Sequence, residues 1–171
     1  MGSALRISGI VPESIVDGPG IRLTVFTQGC PHHCPGCHNP QTHDFAGGTT
    51  IDVEEILRQV EENPLLRGVT LSGGEPFCQP DPLCELARGV KGLGKTVMTY
   101  SGYTYEQLAE QAQTDPAVRE LLRLTDILVD GPYLEAQRDL TLRFRGSRNQ
   151  RILRLRDGVL ERVEDGENGY G

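Results

Sequence analysis

At 171 residues, with 37% apolar side chains, the chain has the size of one domain around a single core. Its net charge of −7 argues against nucleic-acid or membrane-surface binding by the chain as a whole. No apolar run approaches the ~20 residues of a membrane span, and MGSALRISGIVPES lacks the long apolar stretch of a signal peptide, so a cytoplasmic protein is the expectation.

In chain order, IRLTVFTQG (21–29) alternates apolar and polar residues at Ile21, Leu23 and Val25 and reads as a strand. The Pro- and Gly-rich, cysteine-bearing stretch after it is a loop. IDVEEILRQVEEN (51–63) sets Val53, Ile56, Leu57 and Val60 on one helical face, with Asp52 as a cap and Pro64 as the stop. GVTLSGG (68–74) is a short strand ending in a glycine pair, and DPLCELARGVKGLG (81–94) a helix with Pro82 in its first turn. KTVMTYSGY (95–103) is a strand and turn. TYEQLAEQAQTDPAVRELLRL (104–124) is helical, restarted at Pro116, and DILVDGPY (126–133) is a strand running into a turn. RILRLRDGVLERV (151–163) carries Asp157-Gly158 between two alternating runs, the signal of a type I′ hairpin. Residues 164–171 are expected to be a disordered tail behind a single domain, 1–163.

Alternating strands and helices imply parallel strands joined by helical crossovers. The chain is too short for an eight-fold barrel, so the expected fold is α/β, a truncated partial (β/α) barrel closed off by the C-terminal hairpin. Ligands in such folds gather at the carboxyl ends of the strands. Four unusual stretches fall there: the cysteine loop, SGGEP (72–76), TYSGY (99–103) and VDGPY (129–133).

The loop GCPHHCPGCHNP (29–40) holds Cys30, Cys34 and Cys37. Clustered cysteines in a reducing compartment bind metal or do redox chemistry rather than form disulfides. One reading is a Cys₃His zinc site completed by His32, His33, His38 or His43. The other is an iron–sulfur cluster, in which three thiolates leave one iron of a [4Fe–4S] cube open to a substrate or cofactor. Cys78 and Cys84 stand apart and read as buried small apolar residues. SGGEP supplies two glycines that let backbone approach a bound molecule and, in Glu75, a carboxylate suited to an ammonium group. Alone it reads as a tight turn; opposite three thiolates it reads as the grip on an amino-acid ligand chelating the open iron.

The C-x₃-C-x₂-C spacing of CPHHCPGC resembles that of radical S-adenosylmethionine enzymes, and SGGEP is similar to their methionine-binding turn. VDGPG (16–20) followed by IRLTVFTQGC resembles the activating enzymes of glycyl-radical proteins. PGCHNPQT, YSGYTYEQL, LVDGPY and RGSRNQRIL together resemble the activases of anaerobic ribonucleoside-triphosphate reductase, over roughly residues 5 to 155. One departure is Gly36, where many superfamily members carry an aromatic residue before the third cysteine.

The resemblance implies a [4Fe–4S] cluster on Cys30, Cys34 and Cys37 and S-adenosyl-L-methionine chelating its open iron. Reductive cleavage of the sulfonium would yield a 5′-deoxyadenosyl radical that takes a hydrogen atom from a glycine of the partner reductase. It further implies that Ser72, Gly73, Gly74 and Glu75 hold the methionyl end, that Gly36 and His38 present backbone to the adenine, and that Tyr100, Ser101 and Gly102 line the ribose side. Asp130 and Gly131 are expected either to contact the cofactor or a cation, or to form a plain Asp-Gly turn. Asp17 and Gly18 resemble the segment near the incoming glycine peptide, or a simple turn. His32 and His33 are expected to face solvent rather than to serve docking or electron delivery. The implied electron donor is a low-potential flavodoxin or ferredoxin.

Seven arginines against one acid between Arg138 and Arg156 give that stretch a charge of +6 and leave −13 on the remainder. This basic stripe is either a docking surface for an acidic partner or a solvated hairpin face; for nucleic acid it lacks interleaved aromatics beyond Phe144. Two further classes stay open from sequence: a small radical enzyme acting on a small molecule, and a zinc-binding interaction module.

Overall fold

Strand β1 (Ala4–Ser14) and strand β2 (Arg22–Thr27) pair antiparallel, and β3 (Thr49–Asp52) lies on the outer side of β1. This computed structural model describes residues 4–32, 44, 46–139, 142, 144, 145 and 147–164. Helix α1 (Val53–Glu62), strand β4 (Gly68–Gly73), helix α2 (Pro80–Gly92), strand β5 (Thr96–Tyr100), helices α3 (Tyr105–Ala112) and α4 (Pro116–Leu124) and strand β6 (Ile127–Asp130) follow. A hairpin of β7 (Arg151–Arg156) and β8 (Val159–Glu164) completes an open eight-stranded sheet of order β3-β1-β2-β4-β5-β6-β7-β8.

The four central strands β2, β4, β5 and β6 are parallel neighbours in chain order. Each crossover passes through α1, α2, or α3 and α4, and right-handed crossovers between successive neighbours put every helix on one face. Side-chain alternation follows. Leu23, Val25, Val69, Leu71, Val97, Leu128 and Leu153 point into the core shared with Ile56, Leu83, Leu86 and Leu121 of the helices. Met98, Ile127, Val129 and Ile152 point to the opposite face, where Phe144 packs on them. Each fully buried Leu or Ile stabilises the fold by roughly 1.5–3 kcal/mol. The arrangement is the α/β fold expected from the sequence, an incomplete barrel with its edges left open.

Local chemistry accounts for the boundaries. Thr104 and Gln107 form a capping box at the start of α3. Asp115 accepts from the backbone of Ala117 and Val118, with Pro116 opening α4. Asp52 occupies the cap position of α1 but makes no side-chain cap bond. Asp157 and Gly158 take φ of 51° and 80°, the left-handed pair that a type I′ turn needs. Strands β1 and β3 are absent from the sequence reading. In β1 Leu5 and Ile7 alternate with Arg6 and Ser8 for only four residues before Gly9 and Pro12 break the pattern, and its register shifts twice against β2.

Candidate functional site

Parallel register brings the carboxyl ends of β2, β4, β5 and β6 to one edge, at Thr27, Gly73, Tyr100 and Asp130. Backbone bonds lace these ends together. Gly74 N–H donates to Thr27 O (2.8 Å), Glu75 N–H to Gly29 O (2.8 Å), Ser101 N–H to Val129 O (2.9 Å) and Gly131 N–H to Tyr103 O (3.0 Å). The convergence inferred from the sequence is therefore physical: the Cys30 end of the cysteine loop, the Gly73–Glu75 turn, Ser101–Gly102 and Gly131 share one rim.

Gly73 has φ +95°, and a Cβ there would lie 2.5 Å from Thr27 N, so only glycine lets β4 turn this tightly beside β2. Glu75 is fully buried. Its Oε1 accepts from His32 Nε2 (2.5 Å) and Gly102 N–H (2.8 Å); its Oε2 accepts from Ser101 Oγ–H (2.9 Å) and Phe77 N–H (3.2 Å). Both carboxylate oxygens thus accept from three separate chain segments. Ser101, expected on the ribose side, is buried and turned toward Glu75. Tyr100 is half-buried against the helix-free face beside Met98 and Val129. Ser72 and Gly74 are half-buried at the end of β4.

His32 departs from the solvent-facing expectation. Its side chain is 15% exposed, bonded to Glu75 and edge-on to the Tyr103 ring at 4.5 Å between centroids. A histidine between cysteines carries no sequence signal for such a partner 43 residues away. Cys30 is buried (7% exposed) just beyond β2. Cys34, Cys37, Gly36, His38, His33 and His43 lie outside the described residues, and among the described residues no group of three or more His, Cys, Asp or Glu is arranged to hold a metal ion. Of the two outlying cysteines, Cys84 is buried as expected and its Sγ–H donates to Ala117 O (3.3 Å), whereas Cys78 is exposed, because it ends the short 3₁₀ turn Pro76–Cys78 outside the core.

Asp130 resolves differently from Gly131. Its carboxylate is 1% exposed, is bonded by the Arg151 guanidinium (Nε–H at 3.0 Å, Nη2 as well), and accepts the Tyr105 N–H that starts α3 (2.6 Å). Arg151 also pairs with Glu106 at 2.7 Å. Gly131 takes φ +99° with nothing closer than 3.7 Å to an added Cβ. Asp17 Oδ2 accepts from Ser14 Oγ–H (2.6 Å) and Thr24 Oγ1–H (3.3 Å), and a Cβ on Gly18 would lie 2.6 Å from Met98 Sδ. The 17–18 turn thus lies against the helix-free face of the sheet. Part of the basic stripe is used internally, Arg151 as above and Arg154 on Glu164 at 2.9 Å, while Arg138, Arg148 and Arg156 are exposed.

The family model described as "4Fe-4S single cluster domain" matches residues 16–153. The anaerobic ribonucleoside-triphosphate reductase-activating protein of Pasteurella multocida is 35% identical over 153 residues, 84% of this chain and 94% of that protein. The chain belongs to the family of anaerobic ribonucleoside-triphosphate reductase-activating proteins. The activating protein of Escherichia coli K12 is 32% identical over 154 residues, 85% of this chain and 96% of that one. A pyruvate formate-lyase-activating enzyme from Clostridium pasteurianum is 40% identical over 116 residues, 61% of this chain and 47% of that protein. Membership of the activating-protein family decides between the two readings of the cysteine loop, in favour of an iron–sulfur cluster over zinc. Among the described residues no helix is long and apolar enough to cross a membrane.

Proposed function

We propose that the protein generates a glycyl radical on an anaerobic ribonucleoside-triphosphate reductase, with a [4Fe–4S] cluster on Cys30, Cys34 and Cys37 and S-adenosylmethionine as cofactors. The donor set fits a cluster: three thiols at C-x₃-C-x₂-C spacing, the first of them buried beside the glycine turn of β4. Cys30, Cys34 and Cys37 would hold the cluster, which would supply the one electron that cleaves the sulfonium S–C bond of S-adenosylmethionine, with methionine leaving and a carbon-centred radical able to take a hydrogen atom from the target glycine.

The chain's own residues bind, orient and shield. Ser72, Gly73, Gly74 and Glu75 hold the methionyl end, Gly36 and His38 present backbone to the adenine, Tyr100 and Gly102 line the ribose side with Ser101, whose hydroxyl holds Glu75, and Gly131 lies on the same rim. Asp130 serves this rim through Arg151 and the start of α3, which hold the β6 turn in place. Asp17 and Gly18, seated against the helix-free face, are the residues offered to the incoming glycine peptide. Exposed Arg138, Arg148 and Arg156 are offered to an acidic surface of the reductase or of a flavodoxin- or ferredoxin-type donor. Nucleic acid and membrane are not partners in this reading, which suits a net charge of −7 and a cytoplasmic setting.

One observation carries the reading: Cys30, the Gly73–Glu75 turn and the Ser101–Gly102 turn lie on a single rim, bound together through Glu75. The test is anaerobic mixing of reduced protein, S-adenosylmethionine and the reductase, read by electron paramagnetic resonance. A glycine-centred signal that disappears with Cys30→Ala is expected; no signal from cluster-loaded protein, or an undiminished one from Cys30→Ala, would overturn it.

A further inference from the structure

His32 occupies a built seat. The Glu75 carboxylate accepts from its Nε2, the Tyr103 ring meets it edge-on, and the missing side chain at Gly102 leaves room for it: a Cβ there would come within 2.4 Å of the imidazole. Glu75 is itself anchored by Ser101 Oγ–H, Gly102 N–H and Phe77 N–H, donors on the β5 turn and on its own 3₁₀ turn. The carboxylate therefore links the rigid ends of β4 and β5 to one residue of the cysteine loop. That residue is the midpoint of the first cysteine interval, two positions after Cys30 and two before Cys34.

Three residues between two thiols leave the Cys30–Cys34 interval many conformations, most of which do not present both sulfurs to one cluster. Pinning the central residue removes much of that freedom before any metal arrives. We propose that Glu75 is a positioning residue for the cluster: through His32 it sets the Cys30–Cys34 interval for metal, as carboxylates behind metal ligands orient them elsewhere. Glu75 thus serves the cysteine loop through its side chain while its turn frames the methionyl end. The inference rests on the reading of Cys30, Cys34 and Cys37 as cluster ligands.

The test compares parent, His32→Ala, His32→Gln and Gly102→Ala after anaerobic reconstitution, counting iron and sulfide per chain and timing cluster loss to a chelator, with the melting temperature of each metal-free protein as the fold control. His32→Ala removes the clamp, Gly102→Ala fills its seat while leaving His32 and Glu75 chemically intact, and His32→Gln keeps a side-chain N–H for Glu75. The expected result is cluster loss about tenfold faster in His32→Ala and Gly102→Ala, partial rescue in His32→Gln, and melting temperatures within a few degrees of the parent. Parental retention of cluster in both His32→Ala and Gly102→Ala would overturn the clamp alone. A parent that takes up no cluster would overturn the ligand reading and the clamp with it.

Discussion

Arg22 Nε–H donates to Thr70 Oγ1 at 2.8 Å inside the sheet, on a guanidinium with no solvent exposure. The same group reaches Pro19 O, Thr96 Oγ1, Val69 O and Thr96 O at 3.0–3.2 Å, so its fork of donors ties β2 to β4, β5 and the turn that carries Asp17 and Gly18. Lysine has three donors on one point and cannot span these acceptors. Arg22→Lys should destabilise the fold by roughly 2–4 kcal/mol, seen as a lower denaturant midpoint. An unchanged midpoint would mean that the network contributes nothing net.

Gly73→Ala and Gly131→Ala separate crowding from conformation. Both positions have positive φ, at a cost of about 1–3 kcal/mol for a side chain. Gly73→Ala adds a collision with the backbone of Thr27 and Phe26, whereas a Cβ on Gly131 meets only ordinary van der Waals contacts, the nearest at 3.7 Å. Gly73→Ala should therefore be the more damaging by thermal melting, and should also lower cluster uptake. Gly92, in α2 with nothing within 4 Å of an added Cβ, should gain up to ~1 kcal/mol on substitution by Ala.

Asp130→Asn keeps the shape of the β6 turn but removes the charge that meets Arg151. A loss of about 1–3 kcal/mol in stability with unchanged affinity for S-adenosylmethionine is expected, measured by calorimetry on cluster-loaded protein. Weaker cofactor binding at unchanged stability would return Asp130 to the cofactor site.

Burial pushes the Cys84 thiol up to about 11, so at neutral pH it is held as the unreactive thiol. A folded value raised above the usual thiol range means that its contribution to stability is complete at neutral pH and fades as pH rises toward 11. Alkylation of folded protein at pH 7.5 should spare Cys84, and labelling should rise steeply only above pH 10 or on unfolding. Rapid labelling of Cys84 at neutral pH would contradict its burial. Cys84→Ala and Cys78→Ala should both retain the full cluster.

Local chemistry made the parallel core, all four helices, the Pro116 restart and the Asp157-Gly158 hairpin legible in the sequence, because each rests on periodicity, a cap or a turn residue within a few positions. The cysteine spacing and SGGEP were legible for the same reason, since adjacent residues must chelate or turn together. Strands β1 and β3 were not, because Leu5 and Ile7 alternate too briefly and β3 exists only by pairing with β1. Only the tertiary structure decided that His32 faces Glu75 rather than water, that Ser101 supports Glu75, that Asp130 is held by Arg151, and that Cys78 is exposed while Cys84 is buried. Those outcomes depend on which segments parallel register brings to the same rim, and partners 21 to 43 residues apart leave no local pattern to read.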